Sequence, residues 1–148
     1  MNKKSIRKIL GGFKSYVPGG VSIRGTGGTD SARYCYTIWL RHLSILYKNG
    51  FTKIPNTIAE LGPGDSIGTG LAGLLSGSKK FYALDVVEHT DIKKNISVFD
   101  ELVTLFANHS ALPDDNEFPR VLPRLTSYNF PSEIFADNNL ENFLDKSR

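Results

Sequence analysis

The spacing of apolar positions predicts one amphipathic helix near the start of the chain, over residues 31–50. Apolar side chains recur there on one helical face. They are Tyr36, Trp39, Leu40, Leu43, Leu46 and Tyr47. Asp30 or Ser31 can cap the first turn, and Asn49-Gly50 is typical of a helix end. An aromatic stripe of this kind indicates a face packed into a core.

The next part of the chain alternates between strand-like and helix-like patterns. Two short apolar runs, Thr57–Leu61 and Phe81–Val87, favour strands, and we expect the second to be buried on both faces. Helical periodicity covers Ile67–Ser76 and a segment that begins at Asp91. The inward positions of these helices are Ile67, Leu71, Leu74 and Leu75, then Ile92, Ile96, Phe99, Leu102, Val103 and Phe106. Strand, helix, strand, helix is the order that builds a parallel sheet.

The two ends of the chain do not share this alternation. A short helix over Lys4–Leu10 is followed by glycine-rich sequence, in which Arg24–Thr29 favours a connector, with a mobile lid as the alternative. Beyond the last alternating helix, four prolines exclude a continuous helix or central strand, and a short terminal helix begins at Asp137. We therefore divide the chain into a basic, glycine-rich N-terminal extension with one amphipathic helix, 1–56, and an α/β part, 57–148.

Charge is distributed unevenly along the 148 residues. Residues 1–60 carry ten Lys/Arg and two acids, a net of +8, whereas residues 61–148 carry a net of −5. A basic half can bind nucleic acid or an anionic surface. The basic residues here lack the regularly interleaved aromatic residues of a stacking platform, which favours a solvated face over a nucleic-acid partner.

The overall composition is that of an ordinary globular protein, with 40% hydrophobic and 22% charged residues. No run approaches the roughly 18–20 apolar residues of a membrane span. The single cysteine, Cys35, excludes an internal disulfide and fits a reducing compartment. We expect a cytoplasmic protein in which Cys35 is a small core residue.

The candidate chemistry is concentrated where the first strand turns into a helix. Gly62 and Gly64 let the backbone approach a ligand closely, since no Cβ intervenes. The following helix is expected to direct unpaired N–H groups and its positive end at the turn, which suits a carboxylate or phosphate. Asp85 ends the second strand, where a carboxylate can accept hydrogen bonds from ribose hydroxyls. These features predict a site for an adenosine-bearing ligand.

The segment from Glu60 to Gly64 resembles motif I of the class I methyltransferases that use S-adenosyl-L-methionine (SAM), an acid followed by alternating glycines. The resemblance covers about residues 57–90. It implies an α/β fold with a Rossmann-like parallel sheet and flanking helices. That sheet normally has seven strands, so we expect only the N-terminal βαβα portion here: a truncated product, an N-terminal fragment or a degenerate copy.

The resemblance also implies roles for individual residues. Gly62 and Gly64 would line the methionine portion of SAM, Glu60 would approach its ammonium group, Asp85 would hold the ribose hydroxyls, and Val86 would lie against the adenine.

Ser66 departs from the motif, which usually has a third glycine there. Its hydroxyl can cap the helix and reach the SAM carboxylate. The implied cofactor-binding residues are Glu60, Gly62, Pro63, Gly64, Asp65, Ser66, Asp85 and Val86.

The implied activity is methyl transfer to a small-molecule or glycan acceptor by the full-length protein, with weak or no turnover by these residues alone. One alternative is an NAD(P)-binding Rossmann oxidoreductase, for which Gly68 would be a late third glycine. Another is a non-catalytic nucleic-acid module built on the basic first sixty residues.

Other candidate residues favour no catalytic assignment. The histidines lack metal-ligand spacing, so no metal is expected, and Asp114-Asp115 favours a solvated acidic loop. The three histidines are His42, His89 and His109.

Overall fold

The computed structural model describes residues 29–86 and 90–135, and the predicted α/β alternation is confirmed there. Its elements are α1 (Ala32–Lys48), β1 (Thr57–Leu61), α2 (Gly68–Leu75), β2 (Lys80–Leu84), α3 (Ile92–Ala107) and a short 3-10 helix (Ser132–Ile134). The strands form a two-stranded parallel sheet in which Thr57 lies opposite Lys80 and Leu61 opposite Leu84. The predicted helices over Lys4–Leu10 and from Asp137 lie outside the described residues.

Helix α1 begins and ends where its sequence predicts. The Ser31 hydroxyl accepts a hydrogen bond from the Tyr34 N–H at 3.3 Å and caps the first turn. At the other end, the Asn49 side chain donates to the Ile45 carbonyl at 2.8 Å. Four of its predicted core residues are buried: Tyr36, Trp39, Leu40 and Leu43. Leu46 is exposed, which corrects its predicted place in the core.

Helix α2 lies between the sheet and the other two helices. Its glycines make this close packing possible: a Cβ at Gly73 would overlap the Ile58 side chain of β1, and one at Gly68 would lie 2.5 Å from the Cys35 sulfur of α1. Of the residues predicted to face inward, Leu75 is buried, whereas three are half-buried: Ile67, Leu71 and Leu74.

Strand β2 is shorter and more exposed than predicted. It ends at Leu84 instead of Val87, which lies outside the described residues. Tyr82 and Leu84 are 46% and 52% exposed, so the prediction of a strand buried on both faces is wrong. The reason is that α2 is the described helix that packs on the sheet, which leaves the other side of the sheet in solvent.

Helix α3 turns a different face inward than its apolar stripe predicts. The Asp91 carboxylate caps it by accepting from the N–H groups of Lys93 and Lys94, at 2.8 and 3.1 Å. Predicted core residues Leu102 and Phe106 are buried, together with Val98, while Ile92, Ile96 and Phe99 are exposed, which corrects their assignment to the core. The cause is that α3 packs mainly on α1 and α2 rather than on the sheet.

A buried guanidinium holds the proline-rich segment after α3, residues 113–131, to α1. Arg41 is 0% exposed and donates to the Asp115 carboxylate at 2.9 Å and to the carbonyls of Pro113 and Val121 at 2.9 and 3.0 Å. Asp114 and Asp115 are both half-buried, and Asp115 is in addition paired with Arg41 of α1, which the prediction of a solvated acidic loop did not include. Among the described residues, no helix has both the length and the apolar composition needed to cross a membrane.

Candidate cofactor site

The turn between β1 and α2 depends on its two glycines. Gly62 and Gly64 have φ angles of 69° and 78°, in a region that side chains with a Cβ rarely adopt. The Gly62 N–H donates to the Leu84 carbonyl at 2.8 Å, so the turn leaves the sheet beside the end of β2. Within the turn, Pro63 and Gly64 are buried, whereas Gly62 is exposed. The predicted glycine turn is thus confirmed as a strand-to-helix turn.

Asp85 lies at the same edge of the sheet as the glycine turn. It follows the last residue of β2 directly, and β2 runs parallel to β1. The Asp85 carboxylate is exposed and accepts from the Val86 N–H at 2.7 Å. Val86 itself is 96% exposed. The two sequence features that predicted a nucleoside site are therefore neighbours, as parallel pairing of their strands requires.

Glu60 presents a buried oxygen without a partner. The side chain is half-buried near the end of β1, and its Oε2 has no hydrogen-bond partner within the described residues; the same holds for Oγ1 of Thr69 in α2. Burial raises the pKa of the Glu60 carboxyl above its usual value, and the nearby Thr69 hydroxyl partly offsets that rise without meeting hydrogen-bond geometry. A cation beside this carboxyl would stabilise its charged form.

The N–H groups at the start of α2 are held by side chains from other parts of the chain. The Asp65 N–H donates to the Thr29 hydroxyl, and the Ile67 N–H donates to the Asn95 side-chain oxygen, both at 3.0 Å. The expectation that these groups point unpaired at a ligand is therefore wrong. An anion at this helix end would compete with protein acceptors already in place.

Ser66 is also engaged within the protein. It is fully buried, its Oγ accepts from the Gly68 N–H at 3.1 Å, and its hydroxyl donates to the Thr29 carbonyl. It stabilises the start of the helix, as predicted. Its proton is already donated, so the expectation that the hydroxyl reaches a ligand carboxylate is wrong.

Sequence reasoning missed three residues of this site, namely Thr29, Thr69 and Asn95. Each is a small polar residue of a type that commonly bonds to backbone groups at helix ends. Thr29 and Asn95 lie 36 and 28 positions away from the residues they contact. No local pattern carries that signal, because the pairing depends on how α1 and α3 pack around α2.

The remaining candidate residues lie away from the turn or are enclosed in the core. In the part of the chain that the structure describes, no three His, Cys, Asp or Glu side chains group closely enough to hold a metal ion. His42 contacts the Ile38 carbonyl at 2.8 Å, and the His109 ring stacks on Phe130 with 4.5 Å between centroids. His89 lies outside the described residues. Cys35 is confirmed as a buried core residue.

No protein-family model, no curated protein and no solved structure matches this chain.

Proposed function

We propose that this chain contains the cofactor-binding part of a SAM-dependent methyltransferase, whose complete form methylates a small-molecule or glycan acceptor. The observation that carries the proposal is the buried Oε2 of Glu60 beside the glycine turn, which meets no hydrogen-bond partner among residues 29–86 and 90–135. A buried carboxylate oxygen without a donor costs free energy, so a ligand that supplies a positively charged donor is favoured there.

The α-ammonium group of SAM fits this requirement. It is a compact cation with three donors, and a charge-assisted hydrogen bond to Glu60 would offset the cost of burying the carboxyl. The Oγ1 of Thr69, which also lacks a hydrogen-bond partner in the described part of the chain, offers a second acceptor close to that carboxyl. The exposed backbone at Gly62 would let the rest of the methionine portion lie against the turn.

The nucleoside end of the same ligand would lie along the carboxyl ends of the strands. Asp85 is positioned one residue beyond β2, next to the turn, where its carboxylate could accept from two ribose hydroxyls. The exposed Val86 side chain follows it and supplies apolar surface for the adenine. Binding at both ends would orient the sulfonium methyl for an in-line displacement by an acceptor, to which these residues contribute positioning.

The occupied N-terminus of α2 argues against a dinucleotide. NAD places its pyrophosphate on free N–H groups at this end of the first helix. Here the N–H groups of Asp65, Ile67 and Gly68 already donate to side chains. SAM carries no phosphate, and only its carboxylate would lose a contact here, so the arrangement weighs more heavily against NAD than against SAM.

Isothermal titration with S-adenosylhomocysteine, the demethylated product that retains the ammonium and ribose, tests the proposal. We expect the full chain to bind it and not NAD. Glu60→Gln and Asp85→Asn should each weaken binding by about 10–100-fold, since each removes a hydrogen bond to a charged group. Glu101→Gln and Asp100→Asn make the same chemical changes at exposed positions of α3 and should leave the affinity unchanged.

Three results would contradict the proposal. Binding of NAD in place of S-adenosylhomocysteine would support the oxidoreductase alternative. No binding of either by a chain that unfolds cooperatively would show that the turn holds no nucleoside ligand. Salt-sensitive binding of RNA or DNA that Glu60→Gln leaves intact, without S-adenosylhomocysteine binding, would favour the nucleic-acid module.

A further inference from the structure

Thr29 contacts the glycine turn with both its side chain and its backbone. It lies two residues before the cap of α1 and is buried. Its hydroxyl accepts from the Asp65 N–H at 3.0 Å. Its carbonyl accepts from the Ser66 hydroxyl and, at 3.4 Å, from the Cys35 thiol. A residue distant in sequence thus fixes two consecutive residues of the turn.

The turn needs such support because its own residues leave it free to move. Glycine restricts the backbone less than any other residue, so a turn with Gly62 and Gly64 has many conformations to lose when a ligand orders it. The bond between Thr29 and Asp65 removes much of that freedom before a ligand arrives. Preorganisation of this kind increases affinity without any new contact to the ligand.

We propose that Thr29 is a positioning residue for the ligand that binds at the glycine turn. It acts through Asp65 and Ser66, whose backbone it holds in one conformation, and does not itself touch the ligand. This inference rests on the proposed function for the identity of the ligand. It also links affinity at the turn to the point where the chain enters α1, since displacement of Thr29 would release the turn.

Two substitutions at Thr29 separate this role from general stability. Thr29→Val keeps the shape of the side chain and removes the acceptor, whereas Thr29→Ser keeps the acceptor. Thr37→Val is the control: Thr37 is a fully buried residue of α1 whose hydroxyl donates to the Pro113 carbonyl at 2.8 Å and accepts from Arg41 Nε at 2.9 Å, away from the turn. Both valine variants remove the hydrogen bonds of a threonine hydroxyl, but only the Thr29 hydroxyl is bonded to the turn.

The first measurement is the affinity for S-adenosylhomocysteine by isothermal titration of the full chain. We expect Thr29→Val to weaken binding about tenfold, as the loss of one hydrogen bond implies, and Thr29→Ser to restore it to within about twofold. Thr37→Val should lower the melting temperature and leave the affinity unchanged. Equal affinity in Thr29→Val and the wild type, or an equal loss in Thr37→Val, would overturn the proposal.

The second measurement needs no ligand and tests the hydrogen bond between the Asp65 N–H and the Thr29 hydroxyl directly. Hydrogen exchange of the Asp65 amide should be about tenfold faster in Thr29→Val and unchanged in Thr37→Val, because the amide loses its acceptor in the first variant alone. Unchanged exchange in Thr29→Val would overturn the proposal whatever the titration gives. If exchange is faster but the chain does not bind S-adenosylhomocysteine, the proposed function is overturned and the positioning role with it. Thr29 would then only stabilise the conformation of the turn.

Discussion

Gly70 of α2 lies against the ring of Phe81 in β2 so closely that a Cβ at position 70 would overlap the ring. This contact brings the backbone of α2 onto the sheet. It also explains why a helix of only eight residues contains three glycines, although glycine is unfavourable in a helix. The packing that becomes possible when α2 approaches the sheet and α1 closely outweighs the unfavourable helix propensity of these glycines.

Gly70→Ala should therefore destabilise the protein, although alanine favours a helix by about 1 kcal/mol over glycine. We expect a loss of about 1–3 kcal/mol in the free energy of unfolding, from overpacking against Phe81. Urea denaturation measures it. Adding Phe81→Leu should restore part of the loss by making room, so the double-mutant cycle should give a favourable coupling energy; a gain in stability from Gly70→Ala alone would contradict the contact.

Arg41→Met should lower the free energy of unfolding by about 2–4 kcal/mol. The change removes the guanidinium that donates to the Asp115 carboxylate and to three backbone carbonyls, so these acceptors lose a hydrogen bond. Arg33→Met is the matched comparison two turns earlier on α1. The Arg33–Glu117 pair is shorter, at 2.6 Å against 2.9 Å, but both of its side chains are well exposed, so its loss should cost less than about 1 kcal/mol. Equal losses in urea denaturation would show that Arg41 does not hold the proline-rich segment.

The free energy of unfolding of Glu60→Gln should increase relative to that of the wild type as the pH rises above 4.5. The usual carboxyl pKa is 4.5 and burial raises the pKa of Glu60 in the folded state. Between these two pKa values the Glu60 carboxyl is ionised in the unfolded chain but still protonated in the folded chain. The free energy of unfolding of the wild type therefore falls as the pH rises through the folded pKa. Glutamine does not titrate and escapes this loss.

Urea denaturation of the wild type and Glu60→Gln at several pH values between 4 and 8 checks this dependence. Glu101→Gln, on the exposed face of α3, should follow the wild-type pH profile. A difference between Glu60→Gln and the wild type that does not change with pH would show that Glu60 is not desolvated.

Cys35 should resist alkylation in the folded protein. Its thiol is fully buried, and burial raises its pKa to about 12, so little thiolate exists at pH 8 and no reagent reaches it. Mass spectrometry after treatment with iodoacetamide should find slow labelling of the native chain and rapid labelling in urea. Native labelling at the rate of a free cysteine would contradict the packing of α1 on α2.

Local patterns in the sequence determined the elements of this protein. The helical stripe of α1, the apolar run of β1 and the caps at Ser31 and Asp91 all depend on residues within about four positions of each other. Such spacing fixes hydrogen bonding and side-chain direction within one element. The glycine turn and its place between a strand and a helix follow from the same local rules.

The tertiary structure decided which faces are buried and which groups remain available to a ligand. Leu102 and Ile96 both belong to the apolar stripe predicted for α3, yet only Leu102 of the two is buried, because α3 packs on two helices and not on the sheet. The sequence predicts free N–H groups at the start of α2, yet Thr29 and Asn95, 36 and 28 positions away, accept hydrogen bonds from them. Periodicity cannot encode these pairings, since they arise only when separate elements pack together and buried polar groups must find partners.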